Sequence, residues 1–367
     1  MNASGEPIVW PGKASGPRVA VAISGGVDSS VAMALLAERG HDVVGVMARL
    51  WSEPPQEEMR APATSDSEAF ARRACEHLGV PFYAVDLAEE FRDSVVDPFI
   101  AEYLRGRTPN PCLNCNRDVK FGLLLEYALK QGADFLTTGH YARIQKREED
   151  FRLLRGLDAR KDQSYMLHML GQRELSHILF PLGEMTKSEV RAASRARGLP
   201  TAERPESQEI CFIRDNNYHR FLKRFAPNSI ASGPIYDAAG QRVGTHKGLP
   251  FYTIGQREGL GIAHSEPLYV LEIRPAENTL IVGTASELGR DCLTASGVSF
   301  VAGSPPPIPA QVTAKIRYRA REEQAILTRL EDDRASVQFA APLRDITAGQ
   351  GVVFYDGDIV LGGGVID

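Results

Sequence analysis

A glycine-rich stretch near the start of the chain has the composition of an anion-binding loop. Its sequence is Ser24-Gly25-Gly26-Val27-Asp28-Ser29-Ser30. An apolar run over 18–23 precedes it and predicts a buried strand, while the run over 29–39 predicts a helix that ends before Gly40. Backbone N–H groups presented at a helix N-terminus favour phosphate. The stretch lacks the Gly-Lys-Ser/Thr of a Walker A loop, so a kinase-like grip on a γ-phosphate is not predicted. A plain glycine turn is the alternative.

Three cysteines form a second candidate group. Cys112 and Cys115 follow the proline-stiffened segment 108–111, and the apolar helical pattern starts directly after Cys115. A thiol at a helix N-terminus is expected to ionise more easily, because the helix dipole stabilises the thiolate. Cys211 lies much later, in the sequence Ser207-Gln208-Glu209-Ile210-Cys211-Phe212-Ile213.

Three kinds of chemistry suit these cysteines, and the residues alone leave them open. Half of a zinc site is one, although a second Cys-x-x-Cys or a histidine pair is missing. A three-cysteine iron–sulfur site is another. The third is a thiol pair that releases sulfur from a persulfide and ends as a disulfide. The remaining cysteines, Cys75 and Cys292, are predicted to be small core residues.

Composition limits the class of protein. The chain has 367 residues, five cysteines and a net charge of −5. An odd cysteine count in a long chain argues against a secreted disulfide framework. No apolar run approaches the roughly 20 residues of a membrane span, and the N-terminus has no signal-peptide pattern, so we expect a cytoplasmic protein. Basic residues outnumber acidic ones over 140–225, which is compatible with a polyanionic partner.

The order of predicted elements indicates three domains. Strand and helix patterns alternate in the first half, which predicts an α/β domain with a doubly wound parallel sheet that binds ligands at the carboxyl ends of its strands. Glycine-punctuated short strands follow, and the last part fits a small β-barrel. We therefore predict a flexible tail over 1–17, a catalytic domain over 18–215, a central mixed or β domain over 216–288 and a C-terminal β-barrel over 289–367.

Six sequence blocks together resemble one enzyme family. They are S-G-G-V-D-S-S, T-P-N-P-x-x-x-C-N, T-G-H-Y-A-R, K-D-Q-S-Y-M-L, E-S-Q-E-I-C-F-I and G-L-P-F-Y-T-I-G-Q-R-x-G-L-G. The first resembles the pyrophosphate loop of N-type ATP pyrophosphatases, and the ordered set resembles the tRNA-specific 2-thiouridylases. The resemblance extends from about residue 18 to residue 367.

The resemblance implies a sulfur-transfer reaction. ATP adenylates the C2 oxygen of the wobble uridine in tRNA, and sulfur then replaces that oxygen as AMP leaves. Cys211 is implied to carry a persulfide supplied by a cysteine desulfurase or a sulfur relay protein. Cys115 is implied to be the partner thiol that liberates the sulfur. The implied ATP-binding residues are Ala22, Ile23, Ser24, Gly25, Gly26, Val27, Asp28, Ser29, Met47 and Gly139.

The resemblance also implies a set of tRNA contacts. These are Asn110, Pro111, Cys112, His140, Lys161, Asp162, Gln163, Arg317, Tyr318 and Gln350. Many family members have an aspartate where this chain has Cys112, so that thiol either takes over an acid–base role or the step needs none. Lys315, Arg317, Arg319 and Arg321 alternate with a period of two, which predicts a basic strand face suited to phosphates, or else an edge strand guarded by charge.

Two points about cofactors and rivals stay open. Asp28 is predicted either to help hold Mg²⁺ beside the phosphates or to cap the following helix. The rival functions are a small-molecule ligase of the ATP pyrophosphatase type, an iron–sulfur thiolation enzyme that uses Cys112, Cys115 and Cys211 as ligands, and a tRNA-binding module without activity.

Overall fold

The computed structural model describes residues 10, 12, 16–54, 63–205 and 210–367. Its first part alternates strands and helices, as predicted. These elements are β1 (Arg18–Ala22), α1 (Val27–Glu38), β2 (Asp42–Arg49), α2 (Ala63–His77), β3 (Phe82–Asp86), α3 (Ala88–Phe91), α4 (Asp97–Leu104), α5 (Pro111–Asn114), α6 (Leu125–Lys130), β4 (Phe135–Thr137), β5 (Ala142–Arg147), β6 (Asp150–Arg155), α7 (Gln172–Leu175), β7 (Ile178–Leu179), α8 (Lys187–Ala196) and α9 (Tyr218–Phe225).

Five of these strands form a parallel sheet in the order β3-β2-β1-β4-β7. The chain runs outward from β1 to β3 and then returns to the other side of β1, so the strand order reverses between β1 and β4. Their register pairs Val21 with Thr137. The loop after β1 and the loop after β4 therefore lie side by side at the carboxyl edge, where doubly wound folds bind ligands.

Two helices contain π-helical stretches. Arg92–Val96 joins α3 to α4, and Cys115–Leu124 joins α5 to α6 without a break. The second helix therefore begins at Pro111 rather than after Cys115, which corrects our prediction. Proline suits this first helical position because its missing N–H would have no partner there.

A small four-stranded sheet follows the α/β domain. Its strands are β8 (Gly233–Asp237), β9 (Arg242–His246), β10 (Tyr269–Arg274) and β11 (Thr279–Gly283), in the order β10-β11-β8-β9. The glycine-rich segment between β9 and β10 packs against α9, where the ring of buried Phe251 lies 4.7 Å from that of His219. Gly248 has φ 134° and allows a close approach to Ile230.

The C-terminal part is a closed barrel. Its strands are β12 (Arg290–Phe300), β13 (Ala310–Lys315), β14 (Glu323–Glu331), β15 (Arg334–Leu343), β16 (Gly351–Asp356) and β17 (Ile359–Ile366). Pairing of β12 with β17 closes the six strands, and the β5–β6 hairpin of the α/β domain pairs with β17 through Ile359 and Leu154. The predicted fold class is confirmed.

The structure corrects two details of the barrel. Strand β13 ends at Lys315, the first residue of the basic run, so the residues after it form a turn and the predicted four-residue strand face is wrong. Cys292 is exposed rather than part of the core, whereas Cys75 is buried as predicted.

The predicted flexible tail is only partly described. Trp10 is buried, with its ring stacked on Tyr83 at 5.7 Å and set edge-on to Tyr127 at 6.1 Å. The tail is therefore packed at this position. Residues 1–9, 11 and 13–15 lie outside the described part. Within the described ranges, no helix is long and apolar enough to cross a membrane.

Candidate active site

The loop after β1 is held in shape by its own serines. Gly25 has φ 73°, a conformation that glycine adopts without strain. Ser24 donates its N–H to Ser29 Oγ at 3.2 Å, and Ser30 Oγ donates to the Gly26 carbonyl at 2.9 Å. Gly26 occupies the N-cap of α1 with no side-chain cap, so the first N–H groups of that helix are not used by a capping side chain. This arrangement suits an anion such as phosphate.

Glycine at position 139 lets the loop after β4 touch the loop after β1. A Cβ atom on Gly139 would lie 2.8 Å from Asp28 Cβ and 2.8 Å from the Ser29 nitrogen. Real Cβ atoms do not approach that closely, so no larger residue fits without displacing the start of α1. Met47, another predicted ATP contact, lies on β2 and is buried in the core beside β1.

Asp28 is bound by an ion pair that the sequence did not reveal. Lys187 Nζ lies 2.6 Å and 2.8 Å from its two carboxylate oxygens, and Tyr141 donates its hydroxyl to one of them at 2.8 Å. The Asp28 side chain therefore does not cap α1, which corrects that alternative. Lys187 is the first residue of α8, and the only sequence signal for it was the capping box of Thr186 and Glu189.

The first two cysteines lie on the helix that begins at Pro111. Asn110 is its N-cap and accepts the Cys112 N–H at 3.2 Å. Cys112 is exposed and Cys115 is buried. Burial raises the pKa of both thiols, because the surrounding protein disfavours the charged thiolate. This holds for Cys112 as well, although part of its side chain is exposed to solvent. The expected ease of ionisation at a helix N-terminus is therefore wrong for the resting structure.

Cys211 comes close to the other two cysteines. Its side chain reaches the surface, yet its pKa is raised to about 12, mainly by burial and in smaller part by the negative charges of Cys115 and Cys112. This electrostatic coupling indicates that the three thiols lie in one region of the fold. The fold thus joins two distant sequence motifs. All five cysteines are free thiols, and the Ser207-Gln208-Glu209 part of the later motif lies outside the described residues.

The residue after Cys211 anchors it. Phe212 is fully buried, and its ring packs against the rings of Trp51, Phe91, Phe99 and Phe221. Its carbonyl accepts the Glu53 N–H at 3.4 Å. Cys211 therefore projects from a fixed point on the α/β core.

Glu53 stabilises this anchor with a buried charge. Its side chain is fully buried and binds Arg220 at 2.5 Å and Arg224 at 2.7 Å, while Arg214 donates to its backbone carbonyl at 2.9 Å. Although burial raises the pKa of Glu53, hydrogen bonds from the two arginines more than offset this and lower it overall.

We expect Glu53→Gln to destabilise the protein by about 3 kcal/mol, because it removes the carboxylate bound by partly buried Arg224 and leaves Arg220 with Asp215 as its remaining acidic partner. The lowered pKa means that the wild-type advantage is fully present above the ordinary glutamate pKa of about 4.3 and fades as the pH falls through the folded value. Urea unfolding at pH 7 and pH 4 measures both effects. Glu203→Gln, which removes a partner of Arg195 on the surface, is the control and should leave the midpoint unchanged. Equal midpoints for the two variants at pH 7 would contradict the expectation.

His140 is buried at the end of β4 and keeps its ring neutral. Burial lowers its pKa well below the usual range, and the nearby Lys120 ammonium lowers it further. Its ring nitrogen lies 2.7 Å from Thr138 Oγ1, and Phe121 packs against the ring at 5.8 Å. The helix that carries the cysteines therefore touches the segment that borders the loop after β1.

The Lys161-Asp162-Gln163 segment forms hydrogen bonds that stabilise the loop after β6 and the start of β5. Asp162 is buried and accepts the N–H groups of Gly156 and Ser164, both at 3.0 Å. Gln163 accepts the Tyr141 N–H at 3.0 Å, and Lys161 is half-buried.

The barrel holds the segment in front of Cys112. Gln350 donates to the Thr108 carbonyl at 2.7 Å, and Thr108 donates its N–H to the Ala348 carbonyl at 2.8 Å. Arg317 hydrogen-bonds to Thr347 and to the Ile254 carbonyl, so it joins the barrel to the glycine-rich segment between β9 and β10. These contacts make Gln350 and Arg317 junction residues.

Tyr318 is a barrel residue that faces the cysteines. Its ring lies 6.0 Å from that of Tyr165, and burial raises its pKa, which the negative charge of Cys112 raises further. Tyr318 therefore lies within electrostatic reach of Cys112. Among the described residues, no group of three or more His, Cys, Asp or Glu side chains is arranged to hold a metal ion.

Three family models match consecutive parts of this chain. The tRNA methyl transferase HUP domain matches residues 17–215, the tRNA methyl transferase PRC-barrel domain matches 219–284, and the aminomethyltransferase beta-barrel domain matches 290–366.

The relatives that match along nearly their whole length are named for tRNA 2-thiolation and not for the methyl transfer that the first two family models describe. The tRNA-specific 2-thiouridylase MnmA of Roseiflexus castenholzii is 48% identical, over 95% of this chain and 99% of its own. The corresponding proteins of Caldanaerobacter subterraneus (MnmA 1) and Chloroflexus aurantiacus are 48% and 47% identical, each over 95% of this chain and 98% of their own. At this identity and coverage, the chain belongs to the tRNA-specific 2-thiouridylase family.

Proposed function

We propose that this protein catalyses the ATP-dependent 2-thiolation of the wobble uridine in tRNA. The observation that carries the proposal is the meeting of three thiols, from motifs far apart in sequence, next to the edge of the sheet that bears the anion-binding loop. A methyl transfer needs neither a nucleotide-phosphate loop nor a cluster of thiols. The site therefore suits the 2-thiouridylase activity in the names of the relatives better than the methyl transfer in the descriptions of the family models.

The first step makes the base reactive. The C2 oxygen of the uridine attacks the α-phosphate of ATP, a new O–P bond forms, and pyrophosphate leaves. The N–H groups at the start of α1 stabilise the phosphate charge, and Gly25 and Gly139 allow the loops to approach the nucleotide. Adenylation converts a poor leaving oxygen into AMP.

The second step delivers sulfur. The Cys115 thiolate attacks Cys211 Sγ, whose outer persulfide sulfur leaves as hydrosulfide, and a Cys115–Cys211 disulfide remains. The persulfide S–S bond breaks as the Cys115–Cys211 bond forms, so the Cys115 sulfur is oxidised, the outer sulfur is reduced and the electrons balance. Hydrosulfide then adds to C2 of the base, and AMP leaves with the former C2 oxygen. Because the resting pKa values are raised, the thiols are protonated until a neighbouring charge or the substrate changes that balance.

A sulfur donor must reach Cys211 before this step. The side chain of Cys211 is exposed, which supports loading by a cysteine desulfurase or a sulfur relay protein. We place the reaction in the cytoplasm, where tRNA would be available.

Two cofactors differ in how well they suit the site. Asp28 offers a hard carboxylate ligand of the kind Mg²⁺ prefers, and the ion would neutralise phosphate charge; Asp28 would then share its oxygens between the ion and Lys187. An iron–sulfur cluster on Cys112, Cys115 and Cys211 fits less well, because these side chains do not form a metal-holding group within the described residues. Visible absorbance after anaerobic purification would favour the cluster.

The proposed division of labour follows the domain boundaries. We propose that residues 18–215 carry the chemistry, that 216–288 connect the parts, and that the barrel over 289–367 contacts tRNA. The predicted contacts Asn110, Pro111, Cys112 and Tyr318 lie around the thiols, where the target base would enter. Arg319 and Arg321 are exposed on the turn after β13 and suit backbone phosphates.

We expect Arg321→Ala to reduce the salt dependence of tRNA binding by about one phosphate contact, a change of roughly 0.7–0.9 in the slope of log affinity against log salt. Arg317→Ala should instead loosen the junction with Ile254 and Thr347 and leave the slope nearly unchanged. Filter binding across a series of salt concentrations, together with thermal unfolding, separates the two. A reversed pattern would make Arg317 the phosphate contact.

The function itself is tested by nucleoside mass spectrometry. Unmodified tRNA is incubated with the protein, ATP-Mg²⁺, a cysteine desulfurase and cysteine. A 2-thiouridine peak that requires ATP is expected. Methylated uridine, or AMP formed on a small-molecule acceptor with no thiolated tRNA, would overturn the proposal.

A further inference from the structure

The helix that carries Cys115 has an unusual backbone. Ten residues, Cys115–Leu124, are π-helical inside a helix that is otherwise α-helical. Such stretches are rare and are found mostly at functional sites. The π-helical stretch begins at the buried cysteine itself, so the wider turn determines which side chain lies next to that thiol.

The wider turn aligns Lys120 with Cys115. In a π-helix the hydrogen bond links residues five apart, so Lys120 follows Cys115 by about one turn. In an α-helix, with about 3.6 residues per turn, the same residue would be rotated well past the cysteine. The π-helical backbone therefore places a cationic side chain on the face of the helix that carries the thiol.

Lys120 also faces the other groups of the site. Burial is the main cause of the raised pKa of Cys112, Cys115 and Cys211, and the Lys120 ammonium opposes it at all three. The next residue, Phe121, packs on His140, which follows Gly139. Lys120 thus lies within electrostatic reach of the thiols and of His140, which borders the loop after β4.

Lys120 has no acidic partner among the residues that the structure describes. Within the described parts of the chain, no hydrogen bond or ion pair involves its half-buried side chain. The nearest acidic residue in sequence, Asp118, binds Arg117 through two hydrogen bonds of 2.7 Å and 2.9 Å. An ammonium group beside the thiols that no described carboxylate binds is available for an anion that forms during the reaction.

We propose that Lys120 is a catalytic cation, which contacts the anionic sulfur formed at Cys115 and Cys211 and the phosphate of the adenylated base. This assignment rests on the proposed function. Lys120 transfers no proton in this role; it stabilises the thiolate of Cys115, the departing hydrosulfide and AMP by charge alone. Among the described residues, the other charged or titratable groups that face these thiols are Asp118 on the same helix and Tyr318 from the barrel, while His140 at the sheet edge faces Lys120.

The test measures thiol reactivity directly. Alkylation by iodoacetamide is followed across a series of neutral to alkaline pH values, and peptide mass spectrometry gives the rate at each cysteine. We expect Lys120→Met to slow alkylation of Cys112 and Cys211 at mildly alkaline pH by roughly threefold to tenfold, and to move their profiles to higher pH, because thiolate is lost. Lys120→Arg should restore most of the rate. Exposed Cys292 in the barrel is an internal reference and should not change.

A matched variant guards against a general charge effect. Arg117→Met removes a cation from the same helix, but one already paired with Asp118, and should leave the profiles in place. Equal profiles for Lys120→Met and the wild type, or an equal shift in Arg117→Met, would overturn the proposal. Lys120→Gln replaces Lys120→Met if the latter lowers the unfolding temperature.

The thiolation assay then separates the two proposals. In single turnovers with loaded persulfide, Lys120→Met should lower the rate by roughly tenfold to a hundredfold, with tRNA affinity within a few-fold. If the wild type makes no 2-thiouridine but the alkylation shift is present, the proposed function fails and the placement of Lys120 stands. If the wild type is active and neither readout moves, the inference about Lys120 fails alone.

Discussion

Replacement of Cys211 by serine is expected to abolish 2-thiouridine formation while adenylation continues. The hydroxyl cannot carry a persulfide, so the adenylated base has no sulfur to accept. Release of pyrophosphate should therefore stop after about one equivalent per tRNA, and tRNA affinity should stay within a few-fold. Rapid-quench measurement of pyrophosphate beside nucleoside mass spectrometry separates the two steps.

The same experiment distinguishes the roles of the cysteines. Cys115→Ser should also abolish thiolation, but it should retain a persulfide on Cys211 after incubation with desulfurase and cysteine. Cys292→Ser is the matched control, because this exposed thiol lies in the barrel and should be dispensable. Full thiolation by Cys211→Ser would remove the persulfide assignment and keep only the overall reaction.

Gly139→Ala is expected to weaken ATP binding severely without unfolding the protein. The new methyl group would lie 2.8 Å from both Asp28 Cβ and the Ser29 nitrogen, so the start of α1 must shift. Overpacking of this kind costs about 1–3 kcal/mol, which corresponds to roughly a fivefold to hundredfold loss of affinity if the strain falls on the nucleotide-bound state. Isothermal titration with ATP-Mg²⁺ and the rate of pyrophosphate release measure it.

A second glycine provides the comparison. Gly12→Ala places a methyl group where no atom of the described residues lies within 4 Å and should bind ATP as the wild type does. Wild-type affinity in Gly139→Ala would mean that ATP does not bind where the loops after β1 and β4 meet. Loss of affinity in both variants would point to a general effect on the fold.

The junction between the barrel and the cysteine helix gives two of the predicted tRNA contacts a structural role. Gln350 and Arg317 both bind protein groups in this structure, at Thr108 and at Ile254 with Thr347. Binding of tRNA to the barrel would therefore take place close to the segment around Thr108, which positions Asn110 and Cys112. The salt dependence of binding described above decides whether these side chains also reach tRNA.

Local sequence patterns were enough to predict the fold class and the anion-binding loop. The apolar run before Ser24 and the glycine pair after it define a strand, a turn and a helix within one short segment, 18–39. The alternation of such units implies a parallel sheet and locates the loop at its carboxyl edge. The cysteines could be selected as a group from their motifs, because a thiol has few other uses in such settings.

Only the tertiary structure decided how the side chains pair and which charges the site contains. Asp28 binds Lys187, which lies far along the chain, and no local pattern reports such a contact. The start of the cysteine helix at Pro111, its π-helical continuation and the turn after Lys315 depend on packing against the barrel and the α/β core, which overrides local periodicity. The raised pKa of the thiols has the same origin: desolvation depends on all surrounding atoms, and these are assembled only when the distant motifs meet.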